Sequence, residues 1–191
     1  MFVKTLHTRR LHLRPPRLED AESAFERYAS DSVATHFLLW KTHTTVDETA
    51  AFLSERMKST AESGGGRWAI CLQGDESMWG SIAASVEGHA AEVGYMLSPQ
   101  IWGNGIMTEA LGAVVSELWN HRRIRRIQAS CHTDNLASER VLIKCGFERE
   151  RLARSLSVMP QISGVPQDCY IYAMARKEPI DGRCNPLRFP F

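Results

Sequence analysis

The chain has 191 residues, of which 43% are hydrophobic and 24% charged, and its formal net charge is +1. This length suits one substantial globular domain and is short for two. A net charge near zero argues against a dedicated nucleic-acid binder, and no apolar run approaches the ~20 residues of a membrane-spanning helix, so neither kind of partner is expected.

The first half of the chain predicts short helices followed by antiparallel strands. Alternating apolar and polar residues predict a strand at Leu11–Arg14, ended by two prolines. Helical spacing predicts a helix at 18–28, a second short helix or turn is expected at 33–39, and Thr45 caps a clearer helix with Glu48 as its capping-box partner. After a glycine loop come three strand-like runs joined by turn residues, at 68–72, 78–86 and 92–97. These runs are expected to form an antiparallel meander.

The second half alternates helices and strands. The predicted elements are a helix at 107–120, a strand at 126–131, a helix at 135–144 stopped by Gly146, a strand from Phe147 and a last strand at 170–174. Residues 177–191 show no periodicity and are interpreted as a C-terminal tail. We therefore expect a single α/β domain over residues 1–176, with a mixed, mostly antiparallel sheet flanked by helices.

The spacing of the cysteines and histidines predicts neither a metal site nor a set of disulfide bonds. Five cysteines are scattered without a close pair: Cys71, Cys131, Cys145, Cys169 and Cys184. This pattern predicts a reduced, cytoplasmic setting, with most thiols acting as small buried hydrophobes. No histidine spacing suits a metal, so no metal site is expected.

The most informative segment is the turn Ser98–Gly105 between a predicted strand and a predicted helix. Gly103 and Gly105 let the backbone approach a ligand closely, and the helix start presents unpaired N–H groups to an anion. A dinucleotide fingerprint would need a small residue where Thr108 stands and an acidic residue about 20 positions later, where the chain has arginines. A P-loop would need a Gly-Lys-Ser/Thr sequence, which is absent.

The order of several motifs resembles the GNAT N-acetyltransferases, and within them the ribosomal-protein N-terminal acetyltransferases of the RimJ/RimL type. Gln100-x-x-Gly103-x-Gly105 is similar to the acetyl-CoA signature of that family, and Asn135-x-x-Ser138 to its second motif. The resemblance covers roughly residues 9–176 and implies the GNAT fold with acetyl-CoA as cosubstrate. It implies that these residues bind the cofactor: Met96, Leu97, Ser98, Gln100, Ile101, Trp102, Gly103, Asn104, Gly105, Ile106, Met107, Thr108 and Asn135.

Acetyl transfer to an amine requires a neutral nucleophile, yet an α-amine has a pKa near ~8 and a lysine amine near ~10.4. A general base, acting directly or through water, is therefore expected. Glu92 is the first candidate, since it shares a strand face with Gly94 and Met96 and apolar neighbours would raise its pKa. The family resemblance also implies a base-like Glu on this strand. A carboxylate satisfied by solvent or by an ion pair is the alternative.

The remaining catalytic parts are implied by the resemblance. N–H groups around Met96–Ser98 would polarise the thioester carbonyl, while the pantetheine arm would add like a strand between two splayed strands. Many GNAT enzymes carry a Tyr where this chain has Leu142, so the available hydroxyl is that of Ser138, or else Ser138 is a surface residue. Asn135 is expected to cap its helix as well as to contact pantetheine.

The acceptor side is less defined. Phe37 and Trp40 lie where the family's acceptor cleft is roofed, and they are expected to bind substrate unless they belong to the core. The favoured reaction is direct transfer in a ternary complex to a protein or peptide N-terminus. Alternatives are a small-molecule amine acetyltransferase, a catalytically silent acyl-CoA-binding domain and, more remotely, another nucleotide-binding protein. The sequence leaves the oligomeric state open and allows a homodimer.

Overall fold

A computed structural model describes residues 4–62 and 64–176. The predicted tail at 177–191, with Cys184, lies outside the described residues. The strands are β1 (Leu6–His7), β2 (Leu11–Arg14), β3 (Gly66–Leu72), β4 (Gly80–Glu87), β5 (Ala90–Leu97), β6 (Arg126–His132), β7 (Glu148–Val158) and β8 (Pro166–Ala175). The α-helices are α1 (Ala21–Ala24), α2 (Ser32–Thr35), α3 (Val46–Glu62), α4 (Ile106–Asn120) and α5 (Leu136–Lys144).

The strands form one eight-stranded sheet in the order β1-β2-β3-β4-β5-β6-β8-β7. Every neighbouring pair is antiparallel except β5 and β6, which are parallel. The predicted meander corresponds to β3, β4 and β5, so the mixed, mostly antiparallel α/β fold is confirmed. The parallel pair sits mid-sheet because α4 carries the chain across from the end of β5 to the start of β6.

Helices cover both faces of this sheet. The apolar stripe predicted for α4 is buried against it, including Ala110, Leu111 and Val114, each fully buried. A second cluster forms under α1 and α3, where Tyr28 and Leu53 pack on β3. Burying apolar side chains at about 25 cal/mol per Å² holds the helices to the sheet. This packing fixes the position of the helices relative to the middle strands of the sheet.

The N-terminal helices differ from the prediction. The predicted helix at 18–28 is instead a 3-10 turn at Leu18–Asp20, the single turn α1, and a π-helical turn at Phe25–Ala29. Leu18 was wrongly placed on its apolar stripe, since this side chain is 52% exposed. A wide π turn re-aims the side chains that follow it, and sequence spacing of 3.6 cannot signal that change.

The cap of α3 also differs from the prediction. Thr45 Oγ1 accepts a hydrogen bond from the Glu48 amide, but the Glu48 carboxylate accepts from the amide of Thr44 rather than that of Thr45. The short helix or turn predicted at 33–39 corresponds to the short helix α2 and the turn residues after it, and Asp31 caps α2 by accepting bonds from the amides of Val33 and Ala34. Residues 36–40 after α2 are therefore in turns and bends rather than in a helix.

The feature that positions the site is the short pairing between β5 and β6. The parallel ladder joins only Ala90–Glu92 to Arg126–Gln128, although both strands continue beyond it. From Glu92 onward the two strands diverge, and a wedge opens in the middle of the sheet. Strand edges in such a wedge carry backbone groups without a neighbouring strand.

Candidate active site

A cavity of about 450 Å³ occupies the wedge and the sheet face beside it. Its lining comes from α3, the segment after α2, the middle strands and the first turn of α5. Six of the sequence-predicted site residues meet here: Phe37, Trp40, Glu92, Met96, Asn135 and Ser138. The fold therefore assembles residues that lie about 100 positions apart in the chain.

The predicted anion turn does not line this cavity but forms the start of α4. Gly103 and Gly105 have φ angles of 77° and 73°, in the left-handed region where a Cβ is strained. Gly105 is the N-cap of α4, and no side chain caps the helix there. The amides of Ile106–Thr108 therefore lack intrahelical partners, and they form an anion-binding end of the kind predicted.

A clasp that the sequence analysis did not identify holds this turn. The Arg10 guanidinium donates to the Glu109 carboxylate at 2.6 Å and to the Asn104 carbonyl at 2.8 Å. Thr8 also donates to Glu109 at 2.6 Å. Burial alone would raise the pKa of Glu109, but these hydrogen bonds outweigh it and lower the pKa. The clasp fixes the turn and keeps a guanidinium close to Gly105.

The residues just before the turn are fixed by local bonds. The Trp102 indole N–H donates to the Leu97 carbonyl at 2.8 Å, and buried Ser98 accepts a bond from the Gln100 amide. Gln100 itself is exposed. This stretch is therefore ordered mainly through its own backbone and supports the exposed anion turn.

The end of β5 offers one backbone donor to the wedge. Among the predicted donors Met96–Ser98, the Ser98 amide is already used, since it donates to the Trp79 carbonyl at 2.8 Å. Successive amides of a strand point to opposite sides, so the Leu97 amide is directed away from β4 and toward the wedge. Leu97 is thus the member of the predicted group placed to donate to a ligand.

Glu92 lies where β5 and β6 begin to separate. Its side chain is exposed, lines the cavity, and accepts a hydrogen bond from Gln128 at 3.4 Å. It shares the cavity-facing side of β5 with Gly94 and Met96, as the alternation predicted. The apolar enclosure expected around the carboxylate is not present, because the open wedge leaves it accessible to water.

Ser138 faces the wedge from the first turn of α5. Its amide donates to the Asn135 side chain at 3.1 Å, so the predicted N-cap is confirmed. The Ser138 hydroxyl lies 2.9 Å from the hydroxyl of Tyr95, which also donates to the Ser138 carbonyl. Burial raises the pKa of Tyr95, although the bond to Ser138 opposes this, so the phenol stays protonated and can donate.

Tyr95 is the residue that sequence reasoning missed. Alternation placed its side chain away from Glu92, and nothing local indicates that it reaches α5. Leu142, which stands where many relatives carry a Tyr, is fully buried in the core. The structure therefore puts a phenol beside Ser138 from β5, whereas α5 contributes none at Leu142.

Cys131 and His132 also line the cavity. Cys131 is buried at the cavity wall, and burial raises the pKa of its thiol to about 11. A thiol with that pKa is almost wholly protonated near neutral pH and is a poor nucleophile. His132 is also buried, and its Nδ1 accepts a bond from the Asp134 amide, which leaves the proton of a neutral ring on Nε2.

Aromatic side chains form the roof of the cavity. Phe37 packs on the His132 ring at 5.2 Å, while Trp40 packs on the rings of His43 and Phe52 at 4.5 Å and 4.9 Å. All but His43 line the cavity, so they are not sealed in the core. Burial lowers the pKa of His43, which favours its neutral form.

Arg126, from the basic run at 122–126, binds Glu150 through two hydrogen bonds of 2.6 Å. Over residues 4–62 and 64–176 there is no group of three potential metal ligands. Across the same residues no helix is long and apolar enough to cross a membrane.

Comparisons with known proteins agree with this geometry. A family model described as an acetyltransferase (GNAT) domain matches residues 10–148. The chain is 30% identical over 174 residues to YoaA of Bacillus subtilis, an uncharacterized N-acetyltransferase; the match covers 90% of this chain and 96% of YoaA.

Two solved structures share the fold. RimL, a ribosomal-protein α-N-acetyltransferase in complex with coenzyme A, superposes with a TM-score of 0.79 at 22% identity, covering 94% of this chain and all of RimL. The microcin self-immunity acetyltransferase MccE, in complex with acetyl-CoA and AMP, gives a TM-score of 0.77 at 21% identity, covering 88% and 93% of the two chains.

Proposed function

The chain belongs to the GNAT acetyltransferase family, and we propose that it transfers an acetyl group from acetyl-CoA to the α-amine of a protein or peptide N-terminus. The observation that carries the proposal is the wedge between β5 and β6, which runs from the anion turn of α4 to Glu92. A donor anchored at the turn and threaded through the wedge presents its thioester beside the cavity.

The pyrophosphate of acetyl-CoA is proposed to bind at the start of α4. The amides of Ile106–Thr108 and the positive end of the helix dipole supply the electrostatic attraction. Arg10 adds a full positive charge nearby, already oriented by Glu109. The occupied CoA sites of RimL and MccE support this assignment. The proposed contacts are Gln100, Ile101, Trp102, Gly103, Asn104, Gly105, Ile106, Met107 and Thr108.

The pantetheine arm is proposed to lie in the wedge as a short extra strand. Its amides would pair with backbone groups of β5 that face away from β4, beside Met96 and Leu97. Asn135 and Ser138 border the same space from α5. The thioester carbonyl would then accept a hydrogen bond from the Leu97 amide, which polarises it for attack.

The chemistry follows from the groups around that carbonyl. Glu92, directly or through a water molecule, removes a proton from the acceptor ammonium, and the neutral amine attacks the carbonyl carbon. The carbon–sulfur bond then breaks as the carbonyl re-forms, and the extra proton on the new amide nitrogen passes to the leaving thiolate. The leaving thiolate is stabilised by the Ser138 hydroxyl, which Tyr95 supports at 2.9 Å. An accessible Glu92 suits a water-mediated proton transfer.

The N-terminal acceptor is supported by the open cavity and by the reaction that RimL carries out on a ribosomal protein. A thiol-release assay with acetyl-CoA and four amine classes tests the proposal: peptides with free N-termini, lysine side chains in N-blocked peptides, polyamines and aminoglycosides. Release of CoA with free N-termini above all others is expected. Release only with small amines would contradict the proposed acceptor, and tight CoA binding without release would indicate a silent domain.

A further inference from the structure

One end of the cavity is built for an anion, and we infer that Arg67, with Arg56 and Ser81, binds an anionic group of the acceptor. For a peptide acceptor this means an acidic side chain close to the reacting α-amine. The inference rests on the proposed function and adds to it the chemical class of acceptor. It depends on three observations: the placement of Arg67, its lack of a counter-ion, and an unpartnered hydroxyl beside it.

The strand register puts Arg67 on the same sheet face as Glu92. Arg67 of β3 is opposite Ala83 of β4, which is opposite Gly94 of β5. Glu92 is two residues from Gly94 on the same face. Two strand spacings separate β3 from β5 by about 10 Å, and the long arginine side chain can cover part of that distance.

Arg67 carries its charge without a counter-ion in the described part of the chain. The only hydrogen bond of its side chain there runs from Nε to Thr60 Oγ1 at 3.4 Å. The guanidinium pairs with no carboxylate among residues 4–62 and 64–176. Burial, and then the nearby charge of Arg56, lower the pKa of Arg67. A partly desolvated cation beside a second cation is unfavourable in the free protein, and an incoming anion relieves that cost.

Arg56 enlarges the positive region. It approaches the cavity from α3, where its guanidinium lies over the Phe52 ring at 5.0 Å. Within the described residues it likewise pairs with no carboxylate. By contrast Arg10 and Arg126, which lie outside the cavity lining, both bind glutamates. Both arginines of the cavity thus lack a carboxylate partner among the described residues.

Ser81 supplies a second, independent sign of a missing ligand. Its side chain is only 6% exposed, and within the described structure Oγ has no hydrogen-bond partner. It lines the cavity from β4, where it is two residues from Ala83 and therefore lies diagonally across from Arg67 on the same face. Buried hydroxyls are almost always satisfied, so an unsatisfied one that faces a cavity indicates a polar group that binds there.

The distribution of charge in the cavity favours one orientation of the bound acceptor. Glu92 is the only acidic residue among its described lining, and it stands on β5, while the two arginines stand across the sheet face. An acceptor with an amine at one end and a carboxylate or phosphate at the other matches this polarity. Binding in the reverse direction would place like charges together.

The test compares acceptors that differ in one charge. The first pair consists of two peptides that carry Glu and Gln, respectively, at the second position. The second pair is phosphoethanolamine and ethanolamine. Comparing the two pairs distinguishes recognition of a carboxylate from recognition of a phosphate. The wild-type protein should favour the anionic member by about tenfold or more in kcat/KM, chiefly through KM, since charge-assisted hydrogen bonds have that effect on binding. Arg67→Met should bring the ratio close to one, and Ser81→Ala should lower it.

Arg154→Met is the matched control, because Arg154 is exposed on β7 and outside the cavity lining. It should keep the wild-type ratio. Equal kcat/KM for both members of each pair in the wild-type protein would overturn the inference, while turnover of peptides would still support the proposed function. A ratio that survives in a folded Arg67→Met variant would also overturn it.

Two outcomes separate the inference from the proposed function. Preference for phosphoethanolamine with no peptide turnover would support the anion site and contradict the N-terminal acceptor. When no amine is turned over, calorimetry with inorganic phosphate decides: binding that Arg67→Met loses and Arg154→Met keeps supports the site, and no binding to the wild-type protein contradicts it. Arg67→Gln, which also removes the positive charge but keeps a polar side chain, replaces Arg67→Met if the latter does not fold.

Discussion

The donor end and the acceptor end of the site are built in opposite ways. The anion turn at the start of α4 relies on the backbone of one continuous segment, and its nearby charge, Arg10, is already paired with Glu109. The acceptor end relies on side chains from α3, β3 and β4, and its two arginines pair with no carboxylate among the described residues. The comparison suggests that the donor end is pre-organised, whereas the acceptor end is completed by its ligand.

The largest expected effect is on the chemical step between the two ends. Glu92→Gln should lower kcat by about 10²–10⁴-fold, because general-base catalysis contributes that much, and should leave the dissociation constant of acetyl-CoA unchanged. Steady-state kinetics and calorimetry measure the two quantities. Glu87→Gln, an exposed carboxylate of β4 outside the cavity lining, is the control. Near-normal turnover of Glu92→Gln would remove Glu92 from the mechanism.

A single added methyl group should weaken acetyl-CoA binding at the donor end. In Gly105→Ala the side chain is strained at φ 73° and lies close to the Arg10 guanidinium, so acetyl-CoA affinity should fall about 100-fold. Gly74→Ala is a matched control, since Gly74 has φ 81° in an open turn with no neighbouring atoms. It should lose stability, by about 1 kcal/mol, but keep its affinity for acetyl-CoA. Equal affinity losses in both variants would contradict the anion turn.

A smaller effect is expected where the leaving thiolate is stabilised. Ser138→Ala should reduce kcat by about tenfold, the usual effect of losing one hydrogen bond to a charged group. The helix cap survives, because Asn135 accepts from the backbone amide of Ser138. Ser116→Ala, at an exposed position of α4, should have no effect. Normal kcat in Ser138→Ala would point to water as the partner of the thiolate.

The clasp of the donor end should contribute to stability in a pH-dependent way. The folded-state pKa of Glu109 is lowered, so its stabilisation is complete above the unfolded-state value of about 4.3 and is lost as pH falls through the folded-state pKa. Glu109→Gln should cost about 1–2 kcal/mol of unfolding free energy near pH 7 and less at pH 3. Urea unfolding at both pH values measures this, with exposed Glu148→Gln as control. A pH-independent loss would contradict the clasp.

The smallest effect is expected at Cys131. Its thiol is protonated near neutral pH because burial raises its pKa to about 11, and no step of the mechanism uses it. Cys131→Ala should keep kcat within about twofold, apart from packing effects. A loss as large as that of Glu92→Gln, together with an acetylated cysteine detected by mass spectrometry, would favour a covalent mechanism instead.

The local and the long-range features of the site also differ in how far the sequence predicts them. The turn at 98–105 and the cap Asn135 are local, so their residue types indicated their geometry, and the strand before each and the helix after it followed from periodicity. The Tyr95–Ser138 contact joins residues 43 positions apart and depends on how far β5 and β6 diverge. No local pattern encodes that divergence. The π turn at Phe25–Ala29 was not predicted for a similar reason, since packing rather than sequence spacing determines it.

The central claim, acetyl transfer to an α-amine, is tested most directly by mass spectrometry of a peptide pair after incubation with acetyl-CoA. One peptide has a free N-terminus, and the other has the same sequence with its N-terminus blocked and a lysine side chain free. The account predicts that the first is acetylated at its α-amine, that the second remains unchanged, and that Glu92→Gln abolishes most of the product. Acetylation of the lysine in the blocked peptide, with none at the free N-terminus, would contradict it.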